Sequence, residues 1–276
     1  MKIKVAVAGA GGRMGRLVVN GIVGNDKMEL VAGFSRTGLG EEVAPGIVIS
    51  NPGYEMEKEL KSVNPDVLVD FTNADSAVAN VEAAARNRIK LVVGTTGFSA
   101  EQLKTLENAI TGNVPAIISP NFAIGVNVFW KLIAEAARQL RAYKYQMEII
   151  EMHHSQKKDA PSGTAVKAAE ILSCYTTKGA SKCKFVYGRQ GITGERTADE
   201  IGIHAVRAGE IVGEHTVLYA GTGERLEITH RAQSREAFAQ GAIMAIEWIS
   251  GKEVGRIYSM DEMMREMELE LELEQG

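Results

Sequence analysis

The segment EMHHSQKKDAPSGTA, residues 151–165, combines adjacent histidines, two lysines and an aspartate immediately before a predicted helix. Histidine can hold or release a proton near neutral pH, so His153 is a candidate general acid. Lys157 and Lys158 add positive charge that would attract an anionic substrate, although we expect at least one of them to be a solvated surface lysine. An isolated histidine is more often a hydrogen-bonded structural group, but the clustering of these residue types favours a catalytic role.

The string DAPSGTAVKAAEIL predicts a helix that begins beside these groups. Pro161 suits the first turn of a helix, and either Ser162 or Asp159 can cap it. The backbone amides of Ser162, Gly163 and Thr164 would then be unpaired donors directed at an anion, and a carboxylate fits. The segment therefore predicts a site that binds a carboxylate and delivers a proton.

A glycine-rich string, VAVAGAGGRMGR, leads from a predicted strand into a predicted helix near the beginning of the sequence. Glycines at such a turn allow backbone amides to approach a pyrophosphate at the helix N-terminus. The spacing is Gly9-x-x-Gly12-x-x-Gly15, with one further glycine at position 11. Met14 occupies the place of the last glycine in the usual G-x-G-x-x-G motif. Within a βαβ unit the string favours a dinucleotide site over a plain tight turn.

The end of the second predicted strand indicates which dinucleotide is preferred. Sites selective for NAD usually carry an acidic residue there, which binds the ribose 2′-hydroxyl. This chain has Ser35 and Arg36 instead, in the string VAGFSRTG. Arginine makes charge-assisted, often bidentate bonds to phosphate, so these residues suit a 2′-phosphate. A solvated surface arginine is the alternative, but we predict that NADPH is preferred and that NADH remains possible.

The first 125 residues alternate β-branched runs with helical patterns, which is typical of βαβ units and a parallel sheet. Two later strands of this region end in VVGTTGFS and ISPNFAIG, on the carboxyl edge where open α/β sheets bind ligands. Viewed alone, each of these segments is equally well explained as an ordinary strand-to-helix turn. The predicted strands are residues 3–8, 29–34, 66–71, 90–95 and 116–119, and the predicted helices are residues 13–23, 76–87 and 100–109.

After Gly125 the pattern changes to a long amphipathic helix followed mainly by strands, with one helix between them. This indicates an α+β domain with a mostly antiparallel or mixed sheet. A helical pattern returns from Arg235. The fold class is therefore α/β, with residues 1–125 plus 235–276 as a dinucleotide-binding domain and residues 126–234 as a second domain. The predicted strands of the second domain are residues 146–152, 184–187, 201–206, 215–219 and 226–229, and its inner helix is residues 162–172.

The composition argues against several classes of protein. A formal net charge of −4 and a pI of about 5.8 argue against nucleic-acid binding, because no basic stripe offsets the acidic residues. No apolar run approaches the ~20 residues that span a bilayer, and no signal segment is expected. Cys174 and Cys183 suit free thiols in a reducing cytoplasm, and the sequence predicts no metal site. The acidic tail from Asp261 is expected to be solvated surface or a frayed helix.

Five strings closely resemble those of the 4-hydroxy-tetrahydrodipicolinate reductases, also called dihydrodipicolinate reductases. They are GAGGRMG, VGTTGF, PNFAIGVN, EMHHSQKKDAPSGTA and VRAGEIVGEHTV. The resemblance covers nearly the whole chain, and the HHxxKxDAPSGTA string is highly specific to that family. It implies NAD(P)H-dependent reduction to tetrahydrodipicolinate in the diaminopimelate route to lysine. It also implies a Rossmann-like domain, rejoined by the C-terminal helix, and a sheet-bearing domain through which four subunits associate.

The resemblance assigns roles to residues of this chain. His153 matches the family's acid/base and Lys157 its second proton donor, while Ser35 stands where some members carry an acid. The candidate substrate-binding residues are His154, Ser162, Gly163 and Thr164. The candidate cofactor-binding residues are Gly9, Ala10, Gly11, Gly12, Arg13, Met14, Ser35, Arg36, Gly94, Thr95, Thr96, Ser119, Pro120, Asn121 and Phe122.

Two other functions remain open at this point. One is a different two-domain amino-acid dehydrogenase, such as an aspartate dehydrogenase, which would share the cofactor half but does not require the HHxxKxDAPSGTA string. The other is a non-catalytic module that senses NADPH, which could dispense with clustered proton donors. The substrate that drives oxidation of NADPH distinguishes each of these two functions from that of the reductase.

Overall fold

The computed structural model of the chain describes residues 1–176, 179–180 and 183–275. The chain forms two compact units, one made of Met1–Ala123 with Arg235–Gly276 and the other of Ile124–Ser234. None of the described helices is both long enough and apolar enough to cross a membrane.

The first unit is built on an eight-stranded sheet of order β13-β7-β6-β5-β1-β2-β4-β3. All neighbouring strands pair in parallel except β3 and β4, which pair in antiparallel. Its strands are β1 (Ile3–Ala8), β2 (Met28–Phe34), β3 (Glu42–Ala44), β4 (Ile47–Ser50), β5 (Val67–Asp70), β6 (Lys90–Val93), β7 (Ala116–Ile118) and β13 (Ile257–Tyr258). Its helices are α1 (Arg13–Val23), α2 (Tyr54–Val63), α3 (Ala74–Arg86), α4 (Ala100–Ile110), α7 (Glu236–Ser250) and α8 (Met260–Gln275).

Helices cover this sheet, which explains why its central strands are continuous in Val, Leu and Ala. All four residues of β5 are buried, and helix α7 packs against β5, β6, β7 and α1. The strand order reverses between β1 and β5, so a ligand crevice is expected outside their carboxyl ends. The sequence did not predict β3, β4, α2 or β13; the three strands are only two to four residues long and lie at or next to the edges of the sheet.

The second unit contains a five-stranded sheet of order β12-β11-β8-β10-β9. Its strands are β8 (Gln146–His153), β9 (Lys184–Tyr187), β10 (Glu200–Arg207), β11 (Gly213–Ala220) and β12 (Arg225–Ala232), and its helices are α5 (Ile124–Leu140) and α6 (Gly163–Ser173). Strand β8 pairs in parallel with β10 and in antiparallel with β11. The sheet is therefore mixed, because β9 also pairs in parallel with β10. The predicted fold class, a parallel-sheet domain plus a domain with a mixed sheet, is confirmed.

Strand β8 alternates between buried and partly exposed residues, so the two faces of the sheet differ. Its buried positions include Ile149, Glu151 and His153, and helix α6 packs against this face. Helix α5 packs against α6, and the indole nitrogen of Trp130 donates to the carbonyl of Thr164 at 3.3 Å. This packing fixes the start of α6 beside the end of β8.

Candidate active site

Several positions in and beside the turn between β1 and α1 require glycine, among them Gly9 and Gly15. Gly9 has a φ of +88°, a conformation that favours glycine. A Cβ added at Gly15 would lie 1.9 Å from the carbonyl oxygen of Gly9, so α1 passes too close to the turn for any side chain. Gly15 therefore allows the close helix–strand packing that the last glycine provides in the usual motif, one residue later than Met14.

The N-terminus of α1 has the features of an anion site. Its N-cap, Gly12, contributes no side-chain cap, and the first intrahelical bond runs from the amide of Arg16 to the carbonyl of Gly12. The amides of Arg13 and Met14 precede that bond and have no acceptor within the helix. Such amides and the helix dipole favour a phosphate, so this turn fits the pyrophosphate of a dinucleotide.

A cleft at the carboxyl ends of the strands brings together Gly9, Gly12, Ser35 and Arg36. Ser35 is buried, and its hydroxyl accepts a hydrogen bond from the amide of Thr37 at 3.0 Å. Arg36 is exposed at the cleft. The structure thus places a positive charge beside the predicted dinucleotide turn, and it contains no acidic residue at these two positions.

The loop after β5 also lines the cleft, and sequence reasoning missed it. Phe71, Thr72 and Asn73 belong to the lining, in the string VDFTNADS. The signal was available, since polar residues directly follow a predicted buried strand. This loop is held by Asp70, which is fully buried at the end of β5.

Asp70 joins several elements through hydrogen bonds. Its carboxylate accepts from the hydroxyl of Thr95 at 2.6 Å and from the hydroxyl of Thr72 at 2.7 Å. It also accepts from the side-chain amide of Asn80, Nδ2, at 2.7 Å. Burial raises the pKa of Asp70 in spite of these bonds. Thr95 is therefore a buried structural partner of Asp70, and its hydroxyl connects β6 with the loop after β5.

The remaining predicted cofactor segments lie after β6 and β7. Thr96 and Pro120 are exposed, whereas Ser119 and Phe122 are buried. The hydroxyl of Ser119 donates to the carbonyl of Asn121 at 2.8 Å, and the ring of Phe122 packs edge-on against that of Phe71. Neither segment is part of the lining of the cleft, so their role in cofactor binding stays a prediction.

In the second unit, the buried carboxylate of Glu151 organises the candidate catalytic cluster. Arg207 binds it in a bidentate manner, with Nη2 donating to Oε1 at 2.7 Å and Nη1 donating to Oε2 at 2.9 Å. The amide of Ser162 donates to Oε1 at 3.0 Å, and Nδ1 of His153 lies 2.5 Å from Oε2. Burial would raise the pKa of Glu151, but the hydrogen bonds of His153 and Arg207 outweigh it and lower the pKa to about 2.

This arrangement corrects one prediction about the start of α6. Ser162 is the N-cap, and its hydroxyl accepts from the amide of Ala165 at 3.3 Å and contacts Nε2 of His215 at 2.9 Å. Because the Ser162 amide donates to Glu151 and the residue is 2% exposed, this amide is not an unpaired donor for a ligand. Gly163 is exposed, with open space around its Cα.

The other predicted residues lie around the same end of β8. His154 is partly exposed and follows His153 directly. Nζ of Lys157 pairs with Oδ1 of Asp159 at 2.9 Å, with the lysine side chain 20% exposed. Burial would raise the pKa of Asp159, but Lys157 lowers it. Lys158 is exposed, as expected for one lysine of the pair.

The structure predicts a pH-dependent contribution of His215 to stability. Burial, aided by the charge of His153, lowers the pKa of His215 from 6.5 to about 3. The unfolded chain takes up this proton near pH 6.5, so stability from the neutral ring is present above that pH and is lost as the pH falls toward 3. Between pH 6 and 4.5, His215→Gln should remove about 1.4 kcal/mol per pH unit from the slope of the unfolding free energy.

Urea unfolding at several pH values measures that slope. The control is His230→Gln, since burial lowers the pKa of His230 as well but the ring is less enclosed. Equal slopes in the wild type and in His215→Gln would contradict the prediction. Glu151, whose pKa is lowered from 4.5 to about 2, adds a slope of its own as the pH falls toward 4.5, but the wild type and His215→Gln share this contribution.

Comparison with known families shows to which family the chain belongs. Residues 3–122 match the family model described as the N-terminus of dihydrodipicolinate reductase, and residues 125–264 match the model of its C-terminus. The chain belongs to the dihydrodipicolinate reductase family. This confirms the predicted family and, with it, an oxidoreductase that uses a nicotinamide cofactor, NAD(P)H.

Individual dihydrodipicolinate reductases resemble the chain over nearly its whole length. It is 50% identical over 269 residues to the 4-hydroxy-tetrahydrodipicolinate reductase of Methanocaldococcus jannaschii, covering 94% of this chain and 96% of that one. The enzyme of the same name from Methanosarcina mazei is 46% identical, with 95% and 99% covered. The dipicolinate-bound dihydrodipicolinate reductase from Paenisporosarcina sp. TG-14 superposes with a TM-score of 0.70 at 28% identity, covering 94% and 98%.

Proposed function

We propose that the chain reduces 4-hydroxy-tetrahydrodipicolinate to tetrahydrodipicolinate with NADPH, and that His153 supplies the proton. The reductase activity, a step of lysine biosynthesis through diaminopimelate, follows from the family and from the relatives that carry its name. The observation that supports the proton donor is the cluster at the end of β8, where a histidine is anchored by a buried carboxylate beside a helix N-terminus. Lys157 lies in the same loop.

The substrate is a ring with two carboxylates, and the second unit offers donors for them. We propose that His154, Gly163 and Thr164 bind these carboxylates at the N-terminus of α6, where the helix dipole favours negative charge. Gly163 leaves this approach open, since a Cβ there would meet no atom within 4 Å. A solved relative holds dipicolinate, a planar pyridine dicarboxylate of the same charge pattern.

His153 and Lys157 have different roles in the proposed reaction. When bound, the reduced nicotinamide would supply a hydride to the conjugated N=C–C=C system that forms once the 4-hydroxyl of the substrate has left as water. His153 then gives a proton from Nε2 to the carbon that carries the resulting enamine charge. Lys157 stabilises the developing negative charge and assists the 4-hydroxyl in leaving as water. Binding of both carboxylates holds the ring so that proton transfer occurs at one carbon.

A direct assay tests the proposed activity against the two alternatives. Pyruvate and aspartate semialdehyde are condensed by the preceding synthase, and the fresh product is added to the purified protein with NADPH. Rapid loss of absorbance at 340 nm supports the reductase. Loss only with oxaloacetate and ammonia would identify an aspartate dehydrogenase, and no loss with any substrate would identify a sensing module.

The proposed preference for NADPH depends on Arg36. A charge-assisted bond to phosphate contributes about 1.5–3 kcal/mol, so Arg36→Gln should lower kcat/KM for NADPH by roughly 10- to 100-fold. The value for NADH, which lacks the 2′-phosphate, should change less than threefold. Exposed Arg88, which is not in the cleft lining, provides the matched control Arg88→Gln. Equal losses with both cofactors would refute this role.

We propose that the chain assembles as a homotetramer through the face of the five-stranded sheet opposite to α6. This face presents Ile150, Leu218 and Val206, and Val206 is 40% exposed. Partly exposed apolar side chains among polar ones on a sheet face are consistent with an interface. A single monomeric species in analytical ultracentrifugation at micromolar concentration would refute the proposal. The free thiols Cys174 and Cys183 suit the reducing cytoplasm, where we propose that the enzyme acts.

A further inference from the structure

We propose that Glu151 is a positioning residue for the reaction, which fixes His153 in the tautomer and orientation that direct Nε2 at the substrate. The inference rests on the proposed role of His153 as proton donor. Glu151 does not itself reach the substrate in this proposal, because its side chain has no exposed surface. It acts through the 2.5 Å contact between Oε2 and Nδ1 of His153.

The partners of Glu151 determine which nitrogen of His153 carries a proton. Two guanidinium N–H groups of Arg207 and the amide of Ser162 are donors in every protonation state. They hold Glu151 as a carboxylate, and an ionised carboxylate can only accept hydrogen bonds. Nδ1 of His153 must therefore donate to Oε2, which leaves Nε2 as the nitrogen that exchanges a proton.

The surroundings of Nε2 agree with this assignment. A Cβ added at Gly213 would lie 3.0 Å from Nε2 of His153, so a side chain at that position would crowd this nitrogen. The ring packs edge-on against His215, with centroids 5.2 Å apart. The ring is thus held at Nδ1 and along its side, and its free end is Nε2.

Glu151 also joins the proton donor to the substrate-binding helix. One oxygen, Oε1, accepts the amide of Ser162, the N-cap of α6, while the other contacts His153. Arg207 donates in addition to the carbonyl of Asp159 at 2.8 Å, in the loop that carries Lys157. A single carboxylate therefore sets the relative positions of the proton donor, the helix N-terminus and the intervening loop.

The proton balance of the step is simple. The imidazolium form of His153 bears protons on both nitrogens, and the one on Nε2 passes to the substrate carbon as the new C–H bond forms. The N–H bond at Nε2 breaks and its electron pair stays on the ring. The neutral ring keeps the proton on Nδ1, still donated to Glu151. A later proton from water restores the imidazolium.

The charged or titratable groups around His153 are Glu151 on its own strand, Arg207 on β10, His215 on β11, His230 on β12, and Lys157 and Asp159 in the following loop. In Glu151→Gln the guanidinium of Arg207 would lose its carboxylate and remain near the ring. The imidazole would then lose the carboxylate that accepts from Nδ1.

The test is the kinetics of Glu151→Gln. We expect kcat to fall on the order of 10²-fold, with the Kd of NADPH unchanged and KM for the substrate within a few-fold. The pH profile of kcat should differ from that of the wild type. Glu151→Asp, which keeps the charge, should restore part of kcat. Retention of kcat within threefold together with the wild-type pH profile would overturn the inference.

Glu148→Gln is a closely matched control on the other face of β8. Glu148 binds Arg189 in a bidentate manner at 2.9 and 3.0 Å and contacts Nε2 of His204 at 2.7 Å. Its replacement removes an equivalent carboxylate with the same kinds of partner. Because Glu148 lies on the proposed tetramer face beside Leu218, the assembly of Glu148→Gln is first checked by sedimentation, and a folded variant with wild-type assembly should keep the wild-type kcat and pH profile. A similar loss of kcat in this variant would make the effect of Glu151 structural, and would overturn the inference.

Two further measurements separate this inference from the proposed function. In the background of His153→Gln, adding Glu151→Gln should cause no further loss of kcat, because the carboxylate acts through His153. If His153→Gln alone keeps full turnover, the proposed role of His153 as proton donor is wrong, whatever the result for Glu151. If Glu151→Gln does not fold, ¹⁵N NMR of the wild type decides: the neutral His153 ring must be protonated at Nδ1, and protonation at Nε2 alone would overturn the inference.

Discussion

His153→Gln lowers kcat by about 10²–10⁴, the usual cost of losing a single general acid. The side chain is 10% exposed and held at Nδ1, so glutamine fills much of the space without a group that can give up a proton near neutral pH. The nucleotide cleft lies in the other unit and contains no part of His153. The Kd of NADPH, measured by fluorescence, should therefore stay within twofold of the wild type.

Lys157→Ala belongs to the same prediction, because the ammonium is expected to stabilise charge on the substrate as the hydroxyl leaves. We expect a comparable loss of kcat. Lys158→Ala is the matched control, since this neighbouring lysine is exposed. Stopped-flow measurement of NADPH oxidation gives all three values. Near-full turnover in His153→Gln or in Lys157→Ala would remove that residue from the mechanism.

Gly15→Ala has the second large expected effect, on the stability of the first unit. The added Cβ would lie 1.9 Å from the carbonyl oxygen of Gly9 and 2.9 Å from Cα of Ala10. These are backbone atoms, so α1 would have to move away from the turn. We expect a loss of roughly 3 kcal/mol or more in the free energy of unfolding, at the upper end of overpacking effects. Binding of NADPH should weaken as well.

Gly251→Ala is the control for this substitution in the same unit. Gly251 is the C-cap of α7, and a Cβ there would meet its nearest atom at 3.7 Å, an ordinary contact. Urea unfolding should show a midpoint close to that of the wild type. A Gly15→Ala variant with wild-type stability and wild-type Kd for NADPH would contradict the close packing of α1 on the turn.

The sequence predicted those parts of the fold in which local pattern and tertiary environment agree. Strand β1 and helix α1 were predicted with their observed bounds, because a buried β-branched strand, a glycine turn and an amphipathic helix each have a strong signature. The short edge strands β3 and β4 carry no such signature, since most of their residues are exposed or half-buried.

The candidate site, like the fold, could be predicted only in part. The residue types in the HHxxKxDAPSGTA string were enough, from the sequence alone, to indicate proton transfer and anion binding. The partner of Glu151 could not be predicted in this way, because Arg207 is 56 residues from it along the chain. The use of the Ser162 amide by that carboxylate is likewise a tertiary contact. Asp70 was overlooked because a buried acid after an apolar run gives no periodic signal.

The discontinuous first unit has a consequence for the order of folding during synthesis on the ribosome. Residues 124–234 leave the ribosome as one continuous segment and contain every strand of their sheet, whereas the eight-stranded sheet still lacks α7 and β13 at that stage. Ile246 and Ile249, buried under the finished unit, are not yet available to cover the sheet. At a synthesis rate of about 5–20 residues per second, the apolar strands of the first unit stay uncovered for several seconds before α7 is made. A nascent or prematurely terminated chain is therefore most exposed to chaperones and proteases at the nucleotide-binding half.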